Sequence, residues 1–212
     1  MSGGMIGVVA DHAARYTWFN QSLAALEKPD NTTIEWRVGA NRGASRNELA
    51  RACVEQGRDW IFYVDDDQAF PPQTLNRLLS HGKPLVSALI VQRGKPFLPT
   101  AYATYADGVF HPLDLNSVGH DNLVRCAGVG SGGLLVRSEV FRDLPEPWFV
   151  YSEELGEDLY FSRLCMDRGI QRLVDTGCRI GHIIPTAIFA TEDVMGDWAV
   201  GVQLSEGTKT LL

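Results

Sequence analysis

The run Trp60-Ile61-Phe62-Tyr63-Val64 is the strongest strand signal in the chain, and three acids, Asp65, Asp66 and Asp67, close it. An almost unbroken apolar run of this length suits a central parallel strand buried on both faces. Asp65 and Asp67 are two positions apart. In an extended strand end their side chains share one side, and Asp66 points to the other. Two carboxylates converging beside a buried strand end repel each other unless a cation sits between them. A divalent ion that also bridges to phosphate oxygens meets that need. A solvated acidic turn before Pro71-Pro72 accounts for the same triplet.

The flanking segments predict the sheet around this strand. Met5 to Ala10 is an apolar first strand ending at Asp11, and Thr33 to Val38 alternates as a second. Helices are expected from about Ala13 to Leu26, from an N-cap at Ser45 to Gln56, and after Pro71-Pro72 with a Leu75, Leu78, Leu79 stripe. Pro84 to Ile90 is a further strand. Alternating strands and helices predict an α/β fold, a doubly wound and mostly parallel sheet with helices on both faces. Ligands of such sheets bind outside the carboxyl ends of the strands, where the aspartates lie.

Beyond residue 90 the pattern loosens. Residues 91–126 carry scattered strand-like pieces and turns. The glycine-rich loop Gly128 to Gly133 leads into the strand Leu134-Leu135-Val136, then helices are expected over Ser138 to Leu144 and Glu157 to Arg168. Strands follow at Arg172 to Asp175 and Cys178 to Ile183. The tail from Pro185 to Leu212 has weak periodicity and reads as a mobile segment.

Composition narrows the class. With 212 residues, 45% of them apolar, the chain can bury a core large enough for an enzyme without disulfides. A net charge of -7 argues against a broad nucleic-acid face. Cys53, Cys126, Cys165 and Cys178 form no C-x-x-C pair and read as reduced, buried thiols of a reducing compartment. The start lacks a basic n-region and a long apolar h-region, and no segment is apolar for long enough to span a bilayer. An intracellular, cytoplasmic protein is expected.

Other residues carry chemistry more ambiguously. Glu157 and Asp158 follow Gly156 and open a helix, where acids favour the positive end without any function. In a functional reading one of them is a general base. His182 at a strand end is a structural residue or a ligand. As a ligand beside a carboxylate it shifts preference from Mg2+ toward Mn2+. The loop at 128–133 lacks the spacing of a dinucleotide fingerprint, but Ser131, Gly132 and Gly133 allow close approach to a sugar or phosphate. Arg46 and Arg93 are candidate ligands of a phosphate or a base edge, or plain surface residues. Trp148 and Phe149 are core residues or an apolar platform for a sugar ring.

The order of these signals resembles the GT-A glycosyltransferases, and most nearly their family 2-like bacterial and phage enzymes. The resemblance rests on Ala44-Ser45-Arg46-Asn47 before a helix, the strand ending in Asp65-Asp66-Asp67, the Ser131-Gly132-Gly133 loop, Gly156-Glu157-Asp158 opening a helix, and the later His182. It covers residues 5 to 184. It implies a nucleotide-binding half at about 1–95, an acceptor and catalytic half at about 96–184, and the tail 185–212. It implies that Asp65 contacts the ribose side of the donor and that Asp67 and His182 hold the metal, Mn2+ ahead of Mg2+. Asp66 supports the donor site. Asp158 is the base, with Glu157 beside it binding the acceptor. Ala10 and Asp11 meet the nucleotide base, although the usual polar turn of the family's first loop is missing here.

The function so implied is transfer of a sugar, with inversion, from a nucleotide sugar (a UDP-sugar first, a GDP-sugar second) to a hydroxyl of an unnamed acceptor. Two other classes stand beside it. One is a metal-dependent phosphohydrolase or nucleotidyltransferase that uses the aspartates as a clamp. The other is an inactive nucleotide-sugar binding module.

Overall fold

The structure is a computed structural model that describes residues 3–11, 16–184, 186–192, 195–204 and 207–211. Its first half runs β1 (Met5–Ala10), α1 (Thr17–Ala25), β2 (Thr33–Val38), α2 (Arg42–Glu55), β3 (Trp60–Asp65), β4 (Gln68–Ala69), α3 (Thr74–Ser80) and β5 (Leu85–Leu89). A middle section follows with β6 (Ala101–Ala106), β7 (Val109–Pro112), β8 (Leu123–Cys126), β9 (Gly128–Val129), β10 (Leu134–Arg137) and α4 (Ser138–Asp143). The chain ends with α5 (Glu157–Asp167), β11 (Arg172–Arg179), β12 (Gly181–Ile184), β13 (Thr186–Glu192), β14 (Trp198–Leu204) and β15 (Gly207–Leu211).

The central sheet has seven strands in the order β2-β1-β3-β10-β5-β11-β8. Strands β2, β1 and β3 pair in parallel, as do β5 and β11, while β10 runs antiparallel to both β3 and β5. Strand β8 closes the far edge, antiparallel to β11. The expected mostly parallel α/β sheet is therefore present, with β10 inserted between its parallel halves. That insertion matters for the site. An antiparallel strand begins where its parallel neighbours end, so the glycine loop before β10 emerges beside the carboxyl ends of β3 and β5.

Strand alternation explains the two-sided core. In β1, Met5 and Val9 face one way, toward Leu49 and Cys53 of α2 and Phe161 of α5. Ile6 and Val8 face the other way, toward Phe19 of α1 and Leu75 and Leu78 of α3. In β3, Ile61 and Tyr63 join the first cluster, and Trp60, Phe62 and Val64 the second. Period-two side chains on a strand covered by helices on both faces require this unbroken apolar composition.

Two smaller sheets flank the large one, β15-β14-β13-β12-β4 and β7-β6-β9. The tail, whose periodicity is weak, supplies β13, β14 and β15 as antiparallel strands. Pro185 lies outside the described residues. Several expected boundaries also move. Helix α2 starts three residues before Ser45, because Asn41 is the cap: its Oδ1 accepts the Ala44 N–H at 3.0 Å. Ser45 is buried inside the helix. Helix α1 starts at Thr17, and residues 13–15 of the expected helix lie outside the described residues. The two late strands are β11, with an irregularity between Asp175 and Arg179, and β12. All four cysteines are free and buried. No helix among the described residues is long and apolar enough to cross a membrane.

Candidate active site

Several strand ends and the starts of α2 and α5 meet around a cavity of about 150 Å3 walled by Asp65, Gln68, Ser131, Glu157, Asp158 and His182, among others. A larger cavity of about 920 Å3, walled by Val91, Phe97, Leu113 and Trp198, lies beyond the Val91–Pro99 bridge and carries none of these carboxylates. Chemistry, not size, marks the smaller cavity.

The turn after β3 builds one wall. The Asp65 N–H donates to Gln68 Oε1 at 3.0 Å, which folds the acidic triplet back on itself. The Asp66 N–H donates to Val9 O at 3.1 Å, and the Ile183 N–H donates to Asp67 O at 2.8 Å. The short strand β4 then pairs with β12, placing Gln68 opposite His182. A residue near position 182 is thereby drawn to the end of β3.

Arg46 ties this wall to the next. It is 2% exposed, and its guanidinium reaches Asp65 Oδ1 at 2.7 Å and Glu157 Oε1 at 2.8 Å. The Tyr63 hydroxyl donates to the Arg46 carbonyl at 3.1 Å, fixing the helix turn from the strand below. Burial opposes the Arg46 charge, but Asp65, Glu157 and Asp158 outweigh it and hold its pKa up. Charge-assisted, forked pairs of this kind are strong, and removing one partner strands a buried charge. Arg46 was expected to reach a donor phosphate. Its two terminal nitrogens are instead engaged with carboxylates, so it organises the acids.

Glu157 and Asp158 open α5 behind Gly156. Successive helical residues diverge by about 100° around the axis. Glu157 meets Arg46, and the Tyr151 hydroxyl also bonds to it. Asp158 stays at the cavity, with the Leu159 N–H donating to its Oδ1 at 2.8 Å. Burial first, and the Glu157 charge second, push the Asp158 carboxyl up to about 6. A carboxylate with that affinity for protons is mostly ionised at pH 7 yet a far better proton acceptor than an ordinary aspartate.

His182 shows a directed ring. Its Nδ1 faces the Val91 carbonyl at 2.6 Å, and because a carbonyl only accepts, Nδ1 carries the proton. Nε2 is then left with its lone pair. Burial holds the His182 pKa below the usual value, which keeps the ring neutral. Asp67 is 8% exposed and ion-paired to Arg93 through Oδ2, while its buried Oδ1 has no hydrogen-bond partner. An orphaned carboxylate oxygen and a neutral imidazole nitrogen are ligand types that a borderline divalent cation takes, but Asp67 is not among the residues that wall the cavity lined by His182. The two groups do not complete a coordination sphere. No group of three His, Cys, Asp or Glu gathers around one point among the described residues.

Comparison with solved structures identifies the fold. A197 from STIV superposes with a TM-score of 0.61 at 14% identity, over 87% of this chain and 88% of that one. A structure of GalNAc-T7 with UDP, GalNAc and Mn2+ superposes with a TM-score of 0.60 at 13% identity, over 86% of this chain. The chain has the GT-A fold. It spans 44% of the GalNAc-T7 chain it matches. No protein-family model matches the sequence, and no curated protein matches it.

Within this GT-A fold the remaining expected residues separate. Ser131 and Gly132 line the cavity, while Gly133 is one residue past it and packs toward Ile180, Ile90 and Ala88. Ser131 is 3% exposed with its hydroxyl unpaired, and Gly133 adopts φ 67°, a left-handed turn that brings the loop into β10. Ala10 does not reach it: the residue is fully buried, and its carbonyl accepts the Gly39 N–H. Asp11 stands at the strand end but is paired to Arg42 at 2.9 Å. Trp148 and Phe149 form no platform for a sugar. They are 4% and 2% exposed, the indole N–H donates to Phe141 O and Leu144 O, and Phe149 stacks on Phe161 at 4.5 Å. Their apolar surface is more useful inside the core than in water. Three contributors escaped sequence reasoning: Gln68, Arg42 and Tyr151. Arg42 depends on Asp11, 31 residues away, and the contacts of Gln68 with Asp65 and of Tyr151 with Glu157 depend on turns the sequence pattern did not show; only the place of Gln68 directly after the triplet hinted at a role.

Proposed function

We propose that the chain is a glycosyltransferase that moves a sugar from a nucleoside-diphosphate sugar to an acceptor hydroxyl, with inversion. One observation carries this reading: Asp65, Glu157, Asp158 and His182 share a single cavity at the carboxyl ends of the parallel strands. The nucleotide-binding half is about 1–95 and the acceptor half about 96–184. Asp65, held by Arg46, faces the donor's ribose, with Asp66 supporting the turn. Asp158 takes the proton from the acceptor hydroxyl as that oxygen attacks the sugar carbon. Glu157 keeps the Asp158 proton affinity high and orients the acceptor.

Asp67 and His182 would hold a divalent ion, with Arg93 moving off the Asp67 carboxylate to admit it. A bound ion supplies charge neutralisation for the departing diphosphate. The GT-A neighbour with UDP, GalNAc and Mn2+ supports a uracil donor and manganese, with a GDP-sugar as second choice. The four reduced cysteines support a reducing compartment.

The test is a donor panel. The protein is incubated with UDP-, GDP-, TDP- and CDP-sugars and Mn2+, with and without EDTA, and release of nucleoside diphosphate is followed. One donor should turn over, and the Asp67→Ala variant should release at background rate. Silence with every donor overturns the reading. Turnover of a phosphate ester without a sugar would support the phosphohydrolase alternative.

A further inference from the structure

Gln68 is fully buried, yet half of its amide is unused. Its Oε1 accepts the Asp65 N–H at 3.0 Å, which fixes which end of the amide is which. Nε2, with two N–H groups to donate, has no partner. It faces the cavity and lies against Gly132, where a β-carbon would collide with it and would sit 2.9 Å from Asp65 Oδ2. Leaving a buried amide N–H without an acceptor is unfavourable, so its persistence needs a cause. Ser131 Oγ, also buried and unpaired, lines the same cavity. Two orphaned polar groups on one small cavity, beside a glycine that lets backbone approach, describe a site awaiting oxygen acceptors.

We infer that Gln68 is a donor-binding and specificity residue: its side-chain N–H groups bind an oxygen of the nucleotide sugar beyond the nucleoside. This deepens the glycosyltransferase reading and rests on it. The oxygen belongs to the diphosphate or to a hydroxyl of the sugar, since both accept in the same way. Because the same side chain anchors the Asp65 main chain, Gln68 couples the turn of the acidic triplet to the bound donor.

Equilibrium binding of uridine, UDP and UDP-GalNAc, with a guanine series in parallel and Mn2+ present, tests this on wild type, Gln68→Glu and Gln68→Met. Because Gln68→Met removes the donor without adding charge, a loss counts only where both variants show it; Gln68→Glu keeps an oxygen for the Asp65 N–H but trades the donating end for a carboxylate. Uridine affinity should stay within about twofold in that variant, because hydrogen-bond loss beyond the nucleoside leaves it untouched. A tenfold or greater loss for UDP assigns the oxygen to the diphosphate. A loss confined to UDP-GalNAc assigns it to the sugar. Unchanged affinities in both variants overturn the inference alone. So does an equal loss for uridine, which would mean a displaced Asp65. Wild type that binds no nucleotide in either series overturns the glycosyltransferase reading and this inference together.

Discussion

Asp158 carries opposite demands of stability and chemistry. Its folded pKa is raised from 3.8 to about 6 by burial and then by the Glu157 charge. As pH rises past 3.8 the unfolded chain gives up this proton first, while the folded chain keeps it until about 6. The group's stabilising contribution is therefore complete below 3.8 and lost as pH passes 6. A displacement of this size amounts to about 2 kcal/mol once partial solvent access is discounted. Asp158→Asn should gain about that much in urea unfolding at pH 8 and nothing at pH 4. The same variant should lose at least about 100-fold in transfer, the usual worth of a general base. In wild type, kcat/KM should fall as pH drops through about 6. Equal stabilisation at both pH values would show that the carboxyl is not held up by its surroundings. A stabilised but inactive variant is the signature of a group retained for function against the interest of the fold.

At the scale of elements, helix α2 is the frame of the site, and Asn47 is its fastening. Asn47 Nδ2 donates to Phe149 O at 2.7 Å, and its Oδ1 accepts the Trp148 and Phe149 N–H groups at 2.9 and 3.1 Å. One amide thus satisfies three buried backbone groups of the segment that leads to Glu157. Asn47→Ala should cost about 3 kcal/mol in urea unfolding, since those groups lose their partners without gaining water. Glu48→Ala, which removes an exposed pair with Arg37, should cost less than about 1 kcal/mol. Similar costs for the two would remove Asn47 from this role. The frame itself was legible, because β1, β3 and β5 are covered on both faces and so carry largely apolar runs. Strand β6 was not legible, since most of Tyr102 to Ala106 is exposed and nothing forces a period. The acids and His182 were legible as candidates from their place at strand ends and a helix start. The work of Arg46 and Gln68 was not, because their partners Glu157 and His182 are brought near only by the folded sheet. Trp148 and Phe149 misled for a related reason: an aromatic pair after proline looks the same in sequence whether it covers a core or a sugar.

For the molecule as a whole, the balance of charge at the cavity sets the conditions of binding. The chain carries a net charge of -7, and Asp65, Glu157 and Asp158 crowd one small cavity. Arg46 is already committed to two of them. A nucleoside diphosphate brings more negative charge to this place, and Arg42 is held by Asp11 and Arg93 by Asp67. Entry of the anion alone means separating it from like charge only by cations that are already paired. On the proposed reading, Asp67 and His182 would hold a divalent ion whose charge would offset that of Asp67 and leave Arg93 available to the phosphate. Binding of metal and nucleotide should therefore be strongly cooperative. At about one hundred times its dissociation constant, a ligand that binds only the folded state contributes about 2.7 kcal/mol. For a chain of this size that is a rise of about 5–10 °C in melting temperature. UDP with Mn2+ should produce a shift of this order, Mn2+ or UDP alone much less, and EDTA should abolish it. Mn2+ should exceed Mg2+ because one ligand is an imidazole. An equal shift with UDP in EDTA would assign the neutralising role to Arg42 and Arg93 themselves, and would make the Asp67–Arg93 pair the working state of the site.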